Sequence, residues 1–312
     1  MAPSAAADAL QPFPFGWEHH KDRHCVWIVS PNGYVHSRAF EDVALGLHHA
    51  FAELGGRAPL VTEPSSWRGR MPIVYGANLL PPESVGWLPR GSILVNLEQV
   101  SRESSWINGK YLSLLRQFPV LDYSPRNRRA LADLGVAHAG LLGIGYQEKL
   151  TRIEHAAEKD IDVLFYGSVN ERRHRLLTAL KAAGLNVAHL FGLYGAERDA
   201  FIARSKVVLN IHHFDAQVFE IVRVSFLLAN RVCVLTEGSA SDPDIGPYAA
   251  GMAVAPFDQL VERCRALVAD AGERERLAEA GFSIMKSVSQ AEILRQIADG
   301  RPVHAVSPHM FQ

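Results

Sequence analysis

The sequence lacks the features that mark several specialised classes of protein. Its 312 residues contain no apolar run of the roughly 18 residues that a membrane-spanning helix requires. The start of the chain has no basic segment followed by an apolar core, as a signal peptide has, so we expect a cytoplasmic protein. The three cysteines, Cys25, Cys233 and Cys264, lie far apart. We expect them to be buried free thiols in a reducing compartment.

Strong charge of either sign is also missing. The formal net charge is −1, with 48% hydrophobic and 21% charged residues, which is typical of a globular protein and not of a nucleic-acid binder. No Gly-x-Gly-x-x-Gly, P-loop or Gly-x-Ser-x-Gly motif is present, which disfavours an NAD site and a serine hydrolase. His212 and His213 point to opposite faces of a strand, so we expect neither a metal site nor a bound cofactor.

Short apolar runs alternate with longer amphipathic segments along the whole chain, and this pattern predicts a parallel α/β protein. The clearest predicted strands lie at 24–31, 92–98, 161–168, 206–212 and 232–237, and the clearest helices at 37–56 and 170–184. We predict a mobile N-terminal arm (1–20), two Rossmann-like domains (21–150 and 151–300) whose parallel sheets face a central cleft, and a tail (301–312). The polar stretch 146–160 is the predicted, partly helical connection.

The first candidate binding site follows the strand at 161–168. Gly167 permits close approach of a ligand, Ser168 precedes a helix whose amino end attracts phosphate, and Arg172 and Arg173 can reach phosphate oxygens. The alternative interpretation is an ordinary strand-to-helix turn with a solvated basic face.

The second candidate is the stretch from Val207 to Leu235. His212 and Asp215 lie at the carboxyl end of a strand, where open α/β sheets bind ligands, and Asp215 can cap a helix beginning near Ala216. Glu220 and Arg223 are three apart in an apolar helix and share a face. Either they bind a ligand, or they form an internal ion pair, which is rarely placed in a core without a reason.

Three further residues are candidates because they follow predicted strands. Ser239 lies in the loop E-G-S-A-S-D-P-D-I-G-P-Y (237–248), which either contacts a ligand or is an ordinary loop. His36 follows the first strand and is a candidate general base, although it can equally cap a helix or face solvent. Glu98 ends the strand at 92–98 and is a second acid/base candidate, and Asp122 occupies an equivalent position.

Taken together, D-V-L-F-Y-G-S, K-V-V-L-N-I-H and F-E-I-V-R-V-S-F-L-L-A-N-R-V-C-V-L-T-E resemble the GT-B superfamily of nucleotide-sugar-dependent glycosyltransferases, especially bacterial and phage-type glycosyltransferase-like chains. In the retaining group related to glycogen synthase, Phe219 matches the aromatic residue of the donor motif, and Asn230 takes a glycine position. Glu220 replaces another glycine, and Ser225 stands where that group has the glutamate that binds ribose. Stereochemistry therefore does not carry over.

The resemblance implies that the C-terminal domain holds a nucleotide diphosphate sugar and the N-terminal domain holds the acceptor, without a metal. Gly167, Ser168, Arg172, Arg173, His212, Asp215, Arg223 and Ser239 would lie around the donor, Glu220 would accept ribose hydroxyls, and His36 or Glu98 would act on the acceptor. We therefore predict a glycosyltransferase of the hexosyltransferase class acting on a glycan, protein or small-molecule acceptor. The alternatives are a nucleotide-sugar epimerase of the same fold and a non-catalytic GT-B-like binding module.

Overall fold

The computed structural model describes residues 10–101, 103–213 and 218–303, and these form two compact units. Unit 1 runs to Gln147 and resumes at Ser289, whereas unit 2 runs from Glu148 to Val288. Within the described residues, no helix is both long enough and apolar enough to cross a membrane.

Unit 1 is built on a sheet of six parallel strands in the order β2-β1-β3-β4-β5-β6. The strands are β1 (His24–Ile28), β2 (Leu60–Val61), β3 (Met71–Tyr75), β4 (Ile93–Asn96), β5 (Val120–Asp122) and β6 (Gly140–Leu141). β1 is buried along its whole length, as expected of a parallel strand covered on both faces.

The helices of unit 1 pack against this sheet and against one another. They are α1 (Trp17–His20), α2 (Glu41–Glu53), α3 (Ser84–Trp87), α4 (Gly109–Leu115), α5 (Pro125–Asp133) and, from the end of the chain, α11 (Gln290–Ala298). Side-chain caps set where two of them begin. Asn108 caps α4 by accepting from Tyr111 N–H, and Ser124 caps α5, which has Pro125 in its first turn.

Unit 2 contains five parallel strands in the order β11-β10-β9-β7-β8. They are β7 (Ile161–Tyr166), β8 (Val187–Leu190), β9 (Ser205–Asn210), β10 (Val234–Glu237) and β11 (Ala253–Ala255). The helices are α6 (Glu171–Ala182), α7 (Ala196–Ala203), α8 (Ile221–Ala229), α9 (Leu260–Ala269) and α10 (Ala271–Lys286).

Two segments at the predicted domain boundaries differ from expectation. Residues 10–20 are not a mobile arm, since Trp17 is 2% exposed and its ring lies 5.3 Å from that of Phe51. Helix α11 belongs to unit 1 and not to the C-terminal domain, because Gln290 N–H donates to the carbonyl of Tyr146 (2.9 Å). Both segments carry apolar side chains that complete the core of unit 1.

The connection before β7 is held to unit 2 by one asparagine. Beyond the 3-10 turn Glu148–Leu150 it contains no helix, in contrast to the partly helical prediction. Asn230 Oδ1 accepts the backbone N–H groups of Arg152 (2.7 Å) and Ile153 (2.9 Å), and its amide donates to Leu150 (2.9 Å). These hydrogen bonds satisfy three backbone groups at the start of the segment that would otherwise need helical partners.

Candidate functional site

The second-half candidates converge at the carboxyl ends of three neighbouring strands of unit 2. Gly167 follows β7, His212 follows β9, and Glu237 ends β10. Because β10, β9 and β7 are adjacent and parallel, these residues lie along one edge of the sheet. This edge is where open α/β sheets bind ligands.

Gly167 and Arg223 form the most open part of this edge. The φ of Gly167 is 131°, which favours glycine, and a Cβ there would lie 3.0 Å from Arg223 Nη2. Arg223 Nη1 donates to Asn210 Oδ1 at 3.3 Å, and its guanidinium lies 5.1 Å from the centroid of the Tyr166 ring. Among the described residues no carboxylate lies within ion-pair distance of Arg223, although its charge helps to lower the pKa of Glu220.

Glu220 is the centre of a buried charge cluster. Its Oε2 lies 3.1 Å from His212 Nδ1 and accepts a hydrogen bond from Asn210 Nδ2 at 3.0 Å. Its Oε1 lies 3.9 Å from Arg173 Nη2. Burial alone would raise the pKa of Glu220, but His212, Arg223 and Asn210 outweigh it and lower the pKa to about 2. Burial opposes protonation of His212, yet the Glu220 carboxylate raises the pKa of this histidine. Each group of this pair thus favours the charged form of the other.

Arg172 and Arg173, in contrast, are engaged within the protein. Arg172 forms a bidentate ion pair with Glu237 (2.8 Å from Nη1 to Oε2) and stacks on the Phe257 ring at 3.8 Å. Arg173 is 3% exposed and donates to the carbonyls of Ser168 (2.9 Å) and Ile211. Burial, with Arg223 adding to it, lowers the pKa of Arg173 to about 10. These two arginines join the loops that follow β7 and β9 to the end of β10, and they place positive charge next to this edge of the sheet.

Helix α8 begins later than predicted. The structure places its first residue at Ile221, whereas a start near Ala216 was expected, and Val218 to Glu220 are not helical. Glu220 occupies the N-cap position, but its carboxylate does not cap the helix, because it interacts with Asn210 and His212. Asp215, the predicted cap, lies outside the described residues.

Ser239 and Ser225 lie away from these contacts. Ser239 is exposed in the turn after β10, with its Oγ 2.8 Å from Ser241 Oγ. Ser225 is 5% exposed within α8, and its hydroxyl donates to the Val222 carbonyl at 3.4 Å. The carboxylate that α8 contributes to this edge is therefore Glu220, at the N-cap position, and not a residue one turn inside the helix.

The first-half candidates lie at the carboxyl ends of strands in unit 1. Glu98 accepts a hydrogen bond from Asn78 at 3.0 Å, and burial raises the pKa of its carboxyl to about 7. Asp122 is also buried, which raises its pKa to about 7 although Asn96 donates to it at 2.6 Å. His36 lies in the 3-10 turn Val35–Phe40, half-buried, with its ring 5.4 Å from that of Tyr34.

Two buried asparagines that sequence reasoning missed organise the two edges. Asn96 accepts from the Tyr111 hydroxyl (2.9 Å) and donates to Asp122, while Asn210 links Glu220, Arg223 and Thr236. Both are 0% exposed. The signal was present in the sequence, because each ends an apolar strand, I-L-V-N and V-V-L-N, where an amide needs a polar partner.

No protein-family model matches the sequence. The chain is 30% identical over 183 residues to the uncharacterized protein L140 of Acanthamoeba polyphaga mimivirus, covering 54% of this chain and 57% of that one. The uncharacterized protein R358 of the same virus is 27% identical over 184 residues, covering 57% of this chain and 62% of that one. The chain thus spans less than two thirds of either relative.

Solved structures give a clearer result. Anabaena Alr3699/HepE, crystallised with UDP and glucose, matches with a TM-score of 0.62 and 11% identity over 89% of this chain and 99% of that one. Sucrose-phosphate synthase from Thermosynechococcus elongatus matches with a TM-score of 0.56 and 13% identity, over 88% and 96%. WaaG, a glycosyltransferase involved in lipopolysaccharide biosynthesis, matches with 0.54 and 11%, over 88% and 99%. The chain therefore has the GT-B glycosyltransferase fold, which confirms the predicted fold class.

Proposed function

We propose that the protein is a glycosyltransferase that transfers a sugar from a nucleoside diphosphate sugar to a hydroxyl acceptor, without a metal ion. The donor would bind at the carboxyl ends of β7 and β9. The fold supports this proposal, as does the UDP that accompanies the similar HepE structure. The observation that carries it is the guanidinium of Arg223 at the carboxyl end of β7, so close to the Gly167 backbone that a Cβ there would lie 3.0 Å from Nη2.

Arg223 is suited to hold the diphosphate. In transfer to an acceptor, the bond between the sugar and the diphosphate breaks, and negative charge develops on the leaving phosphate. A positioned arginine stabilises that charge through paired N–H···O bonds. Arg172 and Arg173 lie in the first turn of α6 and add to the positive potential of its amino end. Ser168 lies just after β7, and Ser239 lies just after β10.

Glu220 would fix the ribose. Its carboxylate accepts from Asn210 and pairs with His212, which holds it at the carboxyl end of β9. A carboxylate in this position is an acceptor for ribose hydroxyls. Because its pKa lies at about 2, Glu220 is ionised at neutral pH and accepts hydrogen bonds without first losing a proton.

Glu98 in unit 1 would receive the proton from the acceptor hydroxyl. A general base works best when its pKa lies near the working pH, and burial raises the pKa of Glu98 to about 7. His36 stays the alternative base, because it also follows a strand of the unit 1 sheet.

Calorimetric titration with UDP, GDP, ADP and CMP, in the presence of EDTA, tests the donor site. We expect one nucleotide to bind and Arg223→Gln to weaken it at least about tenfold, roughly 1.4 kcal/mol, the scale of a charge-assisted hydrogen bond. The matched control is Arg175→Gln, which changes an exposed arginine of the neighbouring helix α6 and should leave the affinity unchanged.

Two results would contradict the proposal. If none of the four nucleotides binds at millimolar concentration, the chain is not a nucleotide-sugar enzyme. If a nucleotide binds equally to Arg223→Gln and to the unmodified protein, the donor lies elsewhere. Mass spectrometry of nucleotide sugars incubated with the protein then identifies the donor from the sugar that is released.

A further inference from the structure

A second pocket lies at the opposite end of the unit 2 sheet. Lys159 precedes β7, Lys206 is the second residue of β9, and Cys233 immediately precedes β10. Because these strands are parallel, their amino ends lie on the edge opposite to Gly167. The pocket is therefore separate from the proposed donor site.

This basic pocket has a volume of about 390 Å³, within the range of small-molecule sites. Small side chains leave the space open, namely Ala156, Ala157, Ala271, Ala278 and Cys233. The charged residues around them are Lys159, Lys206, Arg231 and Arg274, with one carboxylate, Glu275. Positive charge therefore exceeds negative charge in its lining.

Two of the four cations are already neutralised. Lys206 Nζ lies 2.7 Å from Asp162 Oδ1. Arg231 Nε lies 2.9 Å from Glu279 Oε2, and its guanidinium stacks at 3.5 Å on the ring of Phe282. Lys206 and Arg231 thus line the pocket, but each already has a carboxylate as its counter-ion.

The other two cations have neutral partners. Lys159 Nζ lies 3.4 Å from His155 Nδ1, and Arg274 donates to the carbonyls of Leu267 (2.6 Å) and Val268 (2.7 Å). Within the described ranges, neither Lys159 nor Arg274 has a carboxylate at ion-pair distance. Burial, followed by the charge of Arg274, lowers the pKa of Lys159. Two partly buried positive charges thus face one cavity without a counter-ion.

The amino end of α10 adds to the same field. The helix begins at Ala271, a residue of the pocket lining, and runs for 16 residues. Asp270 caps it by accepting the Glu273 N–H at 2.9 Å, which leaves other first-turn N–H groups without a helical partner. The Asp270 carboxylate already occupies part of this helix start, so the helix contributes through its remaining N–H groups.

We propose that the basic pocket binds a phosphate-bearing small molecule, with Lys159 and Arg274 as the ligands of the phosphate group. Once Asp162, Glu279 and Glu275 are counted against the four cations, the pocket keeps one net positive charge. That charge and two cationic donors without a carboxylate at ion-pair distance, among the described residues, suit a phosphate group. The proposal does not depend on the glycosyltransferase activity, because it uses different residues at the other end of the sheet.

Titration with inorganic phosphate at constant ionic strength tests this site. We expect saturable binding to the unmodified protein and at least about tenfold weaker binding to Lys159→Gln, since that change removes one ionic ligand. In the Arg223→Gln background, which removes the proposed phosphate ligand at the donor edge, the binding that depends on Lys159 should persist. Lys181→Gln, which alters an exposed lysine on α6, is the matched control. Lys159→Gln should fold normally, because in the described part of the chain the Lys159 amine makes a single long hydrogen bond, to His155 at 3.4 Å.

Three outcomes would overturn the inference. The first is the absence of saturable phosphate binding. The second is an equal loss in Lys159→Gln and Lys181→Gln, which would indicate attraction to net charge alone. The third is a loss in Arg223→Gln with none in Lys159→Gln, which would place phosphate at the donor edge. Failure of nucleotide binding alone would leave this site unaffected.

Discussion

The carboxyl edges of the two sheets are built alike, but the pKa values of their carboxyl groups are shifted in opposite directions. In each, an apolar strand ends in a fully buried asparagine, Asn96 in unit 1 and Asn210 in unit 2, whose amide donates to a carboxyl group. In unit 1 burial raises the pKa of Asp122 and Glu98 to about 7. In unit 2 the surrounding cations lower the pKa of Glu220 to about 2.

The difference teaches that the fold provides the position and the neighbours decide the chemistry. A buried carboxyl group without a close cation keeps its proton near neutral pH, and so can exchange it. A carboxyl group beside His212 and Arg223 keeps its charge and can orient a polar ligand. In the proposed function, the first edge would transfer a proton and the second would bind the charged donor.

Removing the charge of Glu220 should have the largest effect on this contrast. Glu220→Gln leaves His212 and Arg173 without their shared counter-charge, and breaking a buried pair in this way costs about 3 kcal/mol. Urea unfolding followed by circular dichroism measures this loss. Glu279→Gln, which breaks an exposed pair with Arg231, is the control and should cost less than about 1 kcal/mol.

The five tryptophans allow an unfolding transition to be assigned to one unit. All of them, Trp17, Trp27, Trp67, Trp87 and Trp106, lie in unit 1. Tryptophan fluorescence therefore reports on unit 1, whereas circular dichroism reports on both units. If Glu220→Gln shifted the fluorescence transition as strongly as the dichroism transition, the charge cluster would not be a local property of unit 2.

Glu98→Gln should have the next largest effect, and one that depends on pH. A carboxyl group whose folded-state pKa is raised from 4.5 to about 7 stabilises the folded state at low pH, and this stabilisation is lost as the pH rises through that window. Relative to the unmodified protein, Glu98→Gln should therefore gain about 2 kcal/mol between about pH 5 and about pH 8.

The experiment must compare the free energies of unfolding of Glu98→Gln and the unmodified protein at each pH. Burial lowers the pKa of His20 to about 4 and that of His24 to about 3, so these histidines act in the opposite direction over the same pH range. Their contribution cancels in the difference. Parallel pH profiles of the fluorescence transition for the two proteins would disprove a raised pKa at Glu98.

His212→Gln should have the smallest effect of the three. Because the pKa of His212 is raised from 6.5, its positive charge stabilises unit 2 fully at pH values below 6.5. This contribution is lost as the pH rises through the folded-state pKa. We expect a cost of about 1 kcal/mol near about pH 6 and a smaller one near about pH 9. A cost that grew with pH would show that the imidazole acts as a neutral hydrogen-bonding group.

Continuous apolar runs made the central strands predictable. The run 161–168 became β7 (Ile161–Tyr166), shortened where Gly167 adopts a positive φ. The run 206–212 became β9 (Ser205–Asn210). The positions of Gly167 and Glu98 after their strands followed from the same pattern, because parallel strands present their carboxyl ends at one edge.

The partners of these residues were not predictable, because they come from distant parts of the chain. Arg172 pairs with Glu237, which is 65 residues away, and that contact requires β10 to lie beside β9. Helix α8 looked longer from its apolar period, because periodicity does not show that the Glu220 carboxylate interacts with Asn210. Asn210 itself was overlooked as part of an apolar strand.

The return of α11 to unit 1 sets the order in which a nascent chain can complete its structure. The ribosome releases the sheet of unit 1 first, then all of unit 2 from Glu148 to Val288, and only afterwards the helix that covers α2 with Ile293 and Leu294. The unit that starts first is thus finished last. A gene fragment that stops before Ser289 would encode a complete unit 2 attached to an unfinished unit 1, so the two units cannot be separated by a single cut.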